Sequence, residues 1–170
     1  CHKRITKQHG VEEPYITTVL KEWALYRNLF GKKPRVQEIH LGGGTPTFFS
    51  VENLKKLIDG ILDQAEKTEN FELSYEGHPN NTTKEQLQIL FDLGSRRNSF
   101  GVQDYDPKVQ KTINRVQPFE NVKQVTDLSR DIGYTSVSHD LIFGLPFQTK
   151  ETIIDTIEKT KLLKPDRIAF

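Results

Sequence analysis

Apolar, strand-like runs alternate along this sequence with segments whose apolar residues recur at helical spacing. The runs lie at Val36–Leu41, Phe71–Tyr75, Asn98–Val102, Thr135–Phe143 and Arg167–Phe170. Strand and helix in turn imply a parallel sheet, with the helices as crossovers. Polar or glycine positions sit where the runs end. Gly42-Gly43-Gly44-Thr45-Pro46 follows the first run, Glu76 closes the second, Gln103 closes the third, and Asp140 stands inside the fourth. In a parallel β/α architecture the carboxyl ends of the strands share one face, so these distant residues are expected to converge on a small-molecule site.

The helical segments carry their own punctuation. Glu12 to Phe30 has apolar residues at helical spacing, including Trp23, Tyr15 and Tyr26, which are expected to pack in the core. Ser50 is suited to cap a helix with Leu54, Leu57 and Ile58 on one face. Thr82 and Glu85 have capping-box spacing ahead of Leu87, Leu90 and Leu93, and Gly94 stops that helix. Asp106-Pro107 opens a short helix, and a longer one with Val122, Val125, Leu128 and Ile132 ends at Gly133. Thr149 caps the last. This pattern allows an open segment of a barrel or a doubly wound sheet.

Composition narrows the function. With 24 Lys and Arg against 23 Asp and Glu, the formal charge of +1 gives no reason to expect nucleic acid or a membrane surface as partner. No apolar run approaches the ~20 residues of a membrane helix. A single cysteine in 170 residues excludes an internal disulfide, which fits a reducing cytoplasm. The sequence has no Met and stops at Arg167–Phe170, which reads as a strand cut short, so a piece of a longer polypeptide is expected.

Each candidate residue has a functional and a structural reading. Three consecutive glycines let a ligand approach backbone N–H and C=O groups, or simply make a tight turn. They lack the spacing of dinucleotide-binding and P-loop motifs. Glu76 can accept from two vicinal ribose hydroxyls, or pair with an Arg of a neighbouring strand. Gln103 can donate and accept at once, or bond to backbone. Asp140 stands beside Leu141, Ile142 and Phe143, where a lone charge is costly, so it needs a ligand or an internal Arg as partner. Arg115, by itself, reads as a solvated cation at a helix C-terminus. His139 is expected on the opposite side of the sheet from Asp140, as packing or solvent-facing. The five histidines lack zinc-site spacing, and Cys1 alone cannot hold an iron–sulfur cluster.

Taken in order, several segments resemble a known family. Glu38-Ile39-His40-Leu41-Gly42-Gly43-Gly44-Thr45-Pro46-Thr47 resembles the glycine-rich segment of the coproporphyrinogen-type radical S-adenosylmethionine (SAM) enzymes. Gly101-Val102-Gln103-Asp104-Tyr105-Asp106, Asn114-Arg115, Asp140 to Pro146 and Pro165-Asp166-Arg167 resemble later signatures of that family, in register. Cys1 and the Asp after Gly-Val-Gln look most like the oxygen-independent coproporphyrinogen III oxidases. A haem-chaperone-like group of the same superfamily, which binds haem without decarboxylation, is the alternative.

The resemblance implies a parallel, partial (β/α)6 TIM-like barrel, incomplete here. Residues 1–10 would be a loop after a missing cluster-binding segment, and residues 11–170 part of the barrel domain. It implies S-adenosylmethionine and a [4Fe-4S] cluster as cofactors, with the cluster bound by a CxxxCxxC motif outside this sequence. The implied reaction turns two propionates of coproporphyrinogen III into vinyl groups, with a porphyrinogen substrate and unidentified electron donor and acceptor as partners. It assigns Gly43, Gly44 and Thr45 to the amino-acid part of S-adenosylmethionine, and Glu76, Gln103, Arg115 and Asp140 to nucleoside ligands. Departures are the absent cysteine motif, Gly77-His78 after Glu76, and His139 where relatives carry an apolar residue.

Overall fold

The structure is a computed structural model and describes residues 6–170. The readings of Cys1 and of residues 1–5 lie outside the described residues; residues 6–8 are irregular and His9–Val11 is a short 3-10 turn. Helix α1 (Glu12–Leu29) precedes β1 (Arg35–Leu41). Then come α2 (Val51–Leu62), β2 (Glu66–Gly77), α3 (Lys84–Asp92), β3 (Ser95–Gln103), α4 (Pro107–Thr112), α5 (Phe119–Ile132), β4 (Ser136–Leu141), α6 (Lys150–Leu162) and β5 (Arg167–Ala169).

All five strands are parallel, in the order β1-β2-β3-β4-β5. A doubly wound sheet needs a reversal of strand order, and there is none. Right-handed crossovers that always step the same way put every helix on one side. The result is an open segment of barrel wall, with one face under helices and the other free to line a lumen.

Side-chain alternation divides the two faces. Ile39, Leu73, Tyr75, Phe100, Val102, Val137, His139 and Leu141 point to the helices and are buried. Most of them pack with Leu54 and Ile58 of α2, Leu87 and Leu90 of α3 and Val125 of α5, while Val102 and Leu141 join Val122, Tyr105 and Leu163. Burying one side chain of the size of Phe100 contributes about 2–3 kcal/mol. The opposite face carries His40, Ser74, Glu76, Ser99, Gly101, Gln103, Ser138 and Asp140. That face is polar, unlike the apolar layers that fill a closed barrel.

Local chemistry fixes the helix starts. Ser50 accepts from Asn53 N–H at 3.2 Å, and Asp106 from Lys108 and Val109 N–H, both at 2.9 Å. The capping box of α3 is Thr83 with Gln86, one residue later than expected. Thr82 is instead buried, with its hydroxyl 3.0 Å from Thr47 Oγ1 and 2.9 Å from His78 O.

Other boundaries and faces depart from expectation too. β2 begins at Glu66, five residues before Phe71, and bulges between its pairings with Val36 and Glu38. β4 stops at Leu141, and Ile142 and Phe143 are exposed beyond it. Tyr15 and Tyr26 of α1 are more than half exposed, because that helix packs chiefly on α2 and nothing covers its outer side among the described residues. Trp23 is only partly buried and lies outside the two core clusters, and its Nε1–H donates to Ile61 O at 3.1 Å.

Candidate functional site

The strand ends converge on a polar recess of about 100 Å³, lined by Gly44, Thr45, Glu76, Gly77, His78, Gly101, Gln103, Arg115 and Asp140. Six of the seven expected site residues therefore line one cavity, and the seventh, Gly43, donates its N–H to Glu76 Oε2 at 3.1 Å. A second void, of about 10 Å³ among Leu141, Ile153 and Ile157, is packing space.

The glycine turn follows directly from β1. Gly43 and Gly44 have φ of +69° and +52°, a region costly for residues with a Cβ, and the space where a Cβ would sit is open at both. Pro46 then starts a 3-10 turn that leads to α2. Glu76 ends β2 on the lumen side. No Arg of a neighbouring strand pairs with it among the described residues; its polar neighbours are Gly43 N–H and His40 Nε2, the latter 3.6 Å from Oε1.

Gln103 ends β3 with φ of +67°, where the pairing with β4 shifts register. Its carbonyl accepts from Ile142 N–H at 3.0 Å, which ties it to the chain leaving β4. The adjacent Asp104 is fully buried and accepts from Asp106 N–H at 2.6 Å, Thr156 Oγ1 at 3.1 Å and Gln148 Nε2 at 2.5 Å. These bonds hold the left-handed turn against the Gly144–Gln148 loop.

Arg115 is not the solvated cation its sequence position suggested. Asn114 turns left-handed (φ +52°), and the chain folds back so that Arg115 N–H reaches Gln110 O at 2.8 Å. Its guanidinium then enters the recess and donates to Gly101 O at 2.8 Å, while its Nε is buried with no hydrogen-bond partner among the described residues. Burial lowers its pKa, and the Asp140 charge opposes that shift. A Cβ on Gly101 would stand 2.6 Å from Gln103 Nε2 and 2.8 Å from an Arg115 nitrogen, so glycine makes room for both.

Asp140 does receive a partner, from Ser99 on the neighbouring strand. The Ser99 hydroxyl lies 2.8 and 2.7 Å from its two oxygens. Burial pushes the Asp140 carboxyl above the ordinary range; the Ser99 hydrogen bond opposes this, the Glu76 charge adds to it, and Arg115 counters it. His139 points the other way, fully buried, with Nε2 3.0 Å from Thr126 Oγ1. It belongs to the packing.

The recess thus offers two carboxylates, a guanidinium with an unmet N–H, a carboxamide and open backbone. These suit a polar ligand with a diol and a charged end. The sequence reading missed Gly77, His78 and Gly101 in the lining, and Ser99 and His40 behind it. Strand alternation was the available signal: Ser99 and Gly101 share the face of Gln103, and His40 shares that of Glu38. Among the described residues no group of three or more His, Cys, Asp or Glu can hold a metal ion.

Comparison with known proteins places the chain in a family and matches its fold. The profile of the Radical SAM superfamily matches residues 1–160. Over 156 residues the chain is 46% identical to the oxygen-independent coproporphyrinogen III oxidase of Helicobacter pylori (strain J99), covering 91% of this chain and 34% of that protein. It is 40% identical over 169 residues to the protein of the same name from Synechocystis sp., covering 99% of this chain and 36% of that one. The solved coproporphyrinogen III oxidase (HemN) from Escherichia coli, described as a radical SAM enzyme, matches with a TM-score of 0.92 and 31% identity, over 100% of this chain and 40% of that one. The chain spans roughly a third of the length of these curated relatives.

Proposed function

The chain belongs to the radical SAM superfamily, and we propose that its recess is the S-adenosylmethionine-binding wall of an oxidative decarboxylase of coproporphyrinogen III. Residues 11–170 would form part of the barrel domain, and residues 1–10 would lead in from a cluster-binding segment. The observation that carries this reading is the meeting of Gly44, Thr45, Glu76, Gln103, Arg115 and Asp140 around one polar cavity. The identity to proteins named for that activity supports the choice of substrate.

The residues present fit a sulfonium nucleoside. Gly43, Gly44 and Thr45 would meet the amino-acid end with backbone groups, Glu76 would accept from ribose hydroxyls, and Gln103, Arg115 and Asp140 would hold the remaining polar atoms. The buried, partnerless Nε of Arg115 supports a ligand acceptor at that point. When bound and reduced, S-adenosylmethionine supplies the oxidant for hydrogen abstraction from a propionate. A [4Fe-4S] cluster does not fit the residues described: the sequence holds one cysteine, and a cluster takes several thiolates. Its ligands would lie in other parts of the protein.

The remaining partners would be a porphyrinogen, an electron donor and an electron acceptor, in the cytoplasm. No helix among the described residues is long and apolar enough to cross a membrane. The test is an anaerobic assay of the whole reconstituted protein that includes this chain. Formation of 5′-deoxyadenosine together with protoporphyrinogen is the expected result. Tight haem binding with neither product would favour the haem-chaperone reading instead.

A further inference from the structure

The three glycines of the turn serve different ends. Gly43 and Gly44 are needed for their left-handed backbone, with open space beside them. Gly42 is crowded. A Cβ there would stand 2.8 Å from His40 Nε2, 3.0 Å from His40 Cδ2 and 3.2 Å from Glu76 Oε1. An imidazole and a carboxylate are packed together over its backbone.

That imidazole is held from behind. His40 on β1 pairs directly with Ser74 on β2, so both side chains rise on the lumen face. His40 Nδ1 lies 2.8 Å from Ser74 Oγ. Its Nε2 faces Glu76 Oε1 at 3.6 Å, while Glu76 Oε2 accepts from Gly43 N–H at 3.1 Å. A carboxylate only accepts, so the ring nitrogen facing it is favoured to carry the hydrogen. In the neutral imidazole Nδ1 is then an acceptor, and the Ser74 hydroxyl donates to it. At 3.6 Å the His40–Glu76 contact is too long for a hydrogen bond. It acts as an oriented dipole and as a steric stop.

We propose that His40, braced by Ser74, is a positioning residue that aims the Glu76 carboxylate into the recess. With Oε2 fixed by Gly43 and Oε1 checked by His40, the carboxylate cannot swing back over the sheet, and its remaining lone pairs face a vicinal diol. The ligand named here rests on the nucleoside reading above. The brace itself does not.

The test uses the whole protein that includes this chain, isotopically labelled at His and Gly, with His40→Phe, Ser74→Ala and Glu76→Gln variants, at a pH where an ordinary imidazole is neutral. The wild-type ring is expected as the Nε2–H tautomer in its nitrogen shifts, and Ser74→Ala should lose that preference. The Gly43 amide proton, drawn downfield by the carboxylate, should move upfield in His40→Phe and Ser74→Ala, as it does when Glu76→Gln removes the charge. Adenosine should bind about fivefold more weakly to His40→Phe, as expected for about 1 kcal/mol at a half-exposed site. Binding of 2′,3′-dideoxyadenosine should not change. An Nδ1–H tautomer in the wild type, or a Gly43 amide unmoved by either variant, would overturn the proposal. A wild-type protein that binds neither nucleoside, with the amide shifts as expected, upholds the brace and counts against the nucleoside reading.

Discussion

Ser99 and Asp140 meet across the β3–β4 pairing with a single hydroxyl within 2.8 Å of both carboxylate oxygens. Ser99 pairs in register with Ser138, and Asp140 with Gly101, so the absence of a side chain at Gly101 leaves the carboxylate open to the recess. It is a costly arrangement for an empty site: a half-buried acid raised by burial, with one donor and a nearby guanidinium to offset it.

Asp140→Asn is therefore expected to stabilise the fold while weakening ligand binding. The sign follows from the shift. The folded-state pKa lies above the ordinary 3.8, so the folded chain holds its proton longer than the unfolded one. The penalty is absent below that ordinary value and grows as pH rises through the folded pKa. At neutral pH, removing the charge should add less than about 1 kcal/mol once solvent screening is allowed for. Urea titration at pH 7 checks this. A clear loss of stability would mean that the carboxylate is a structural anchor.

His139 gives a pH dependence of opposite direction. Burial holds its pKa down to about 4, helped by the Arg130 charge, against an ordinary 6.5. The unfolded chain then binds a proton that the folded chain refuses between these values. Stability should fall as pH drops from about 6.5 towards about 4, by up to about 3 kcal/mol. His139→Asn, which retains a partner for Thr126, should flatten that part of the pH–stability curve. An unchanged slope would show that other groups set it.

The glycine turn separates steric from conformational demands. Gly42→Ala must displace the His40 ring and Glu76, whereas Gly44→Ala meets open space and suffers only the left-handed backbone, at about 1–2 kcal/mol. Gly42→Ala should thus weaken nucleoside binding with little change in circular dichroism, and Gly44→Ala should lower the melting temperature. Equal effects of the two on both readouts would contradict the distinction.

The site was more legible than the details around it. Glu76, Gln103 and Asp140 could be read because each ends or interrupts an apolar run, and a parallel sheet brings such ends together. Arg115 was reached only through the family resemblance, since its burial comes from the left-handed Asn114, and nothing in a short helical segment signals that reversal. The start of β2 was hidden because Glu66-Lys67-Thr68-Glu69-Asn70 has no apolar alternation, and it pairs with β1 only around a bulge. Tyr15 and Tyr26 misled for the converse reason: helical spacing marks a face but does not say whether anything covers it. The choice between barrel segment and doubly wound sheet needed strand order, which periodicity does not carry.

Arg115→Ala should leave the fold nearly intact. Gly101 O loses one donor but keeps Gln117 Nε2 at 3.1 Å, so the expected cost is below about 1 kcal/mol. Affinity for a nucleoside should fall much more, because the buried Nε is then gone. A variant that fails to fold would make Arg115 a structural residue; a folded variant that binds as the wild type does would remove it from the site.

The central claim is that this recess binds the nucleoside of S-adenosylmethionine. It is tested most directly by titrating adenosine and S-adenosylmethionine into the labelled chain and mapping resonance changes residue by residue. Saturable shifts are expected at Gly43, Gly44, Thr45, Glu76, Gln103, Arg115 and Asp140, with none at His139 or Tyr134 on the helix side. Saturable shifts confined to other surfaces, or no shifts at millimolar nucleoside, would contradict it.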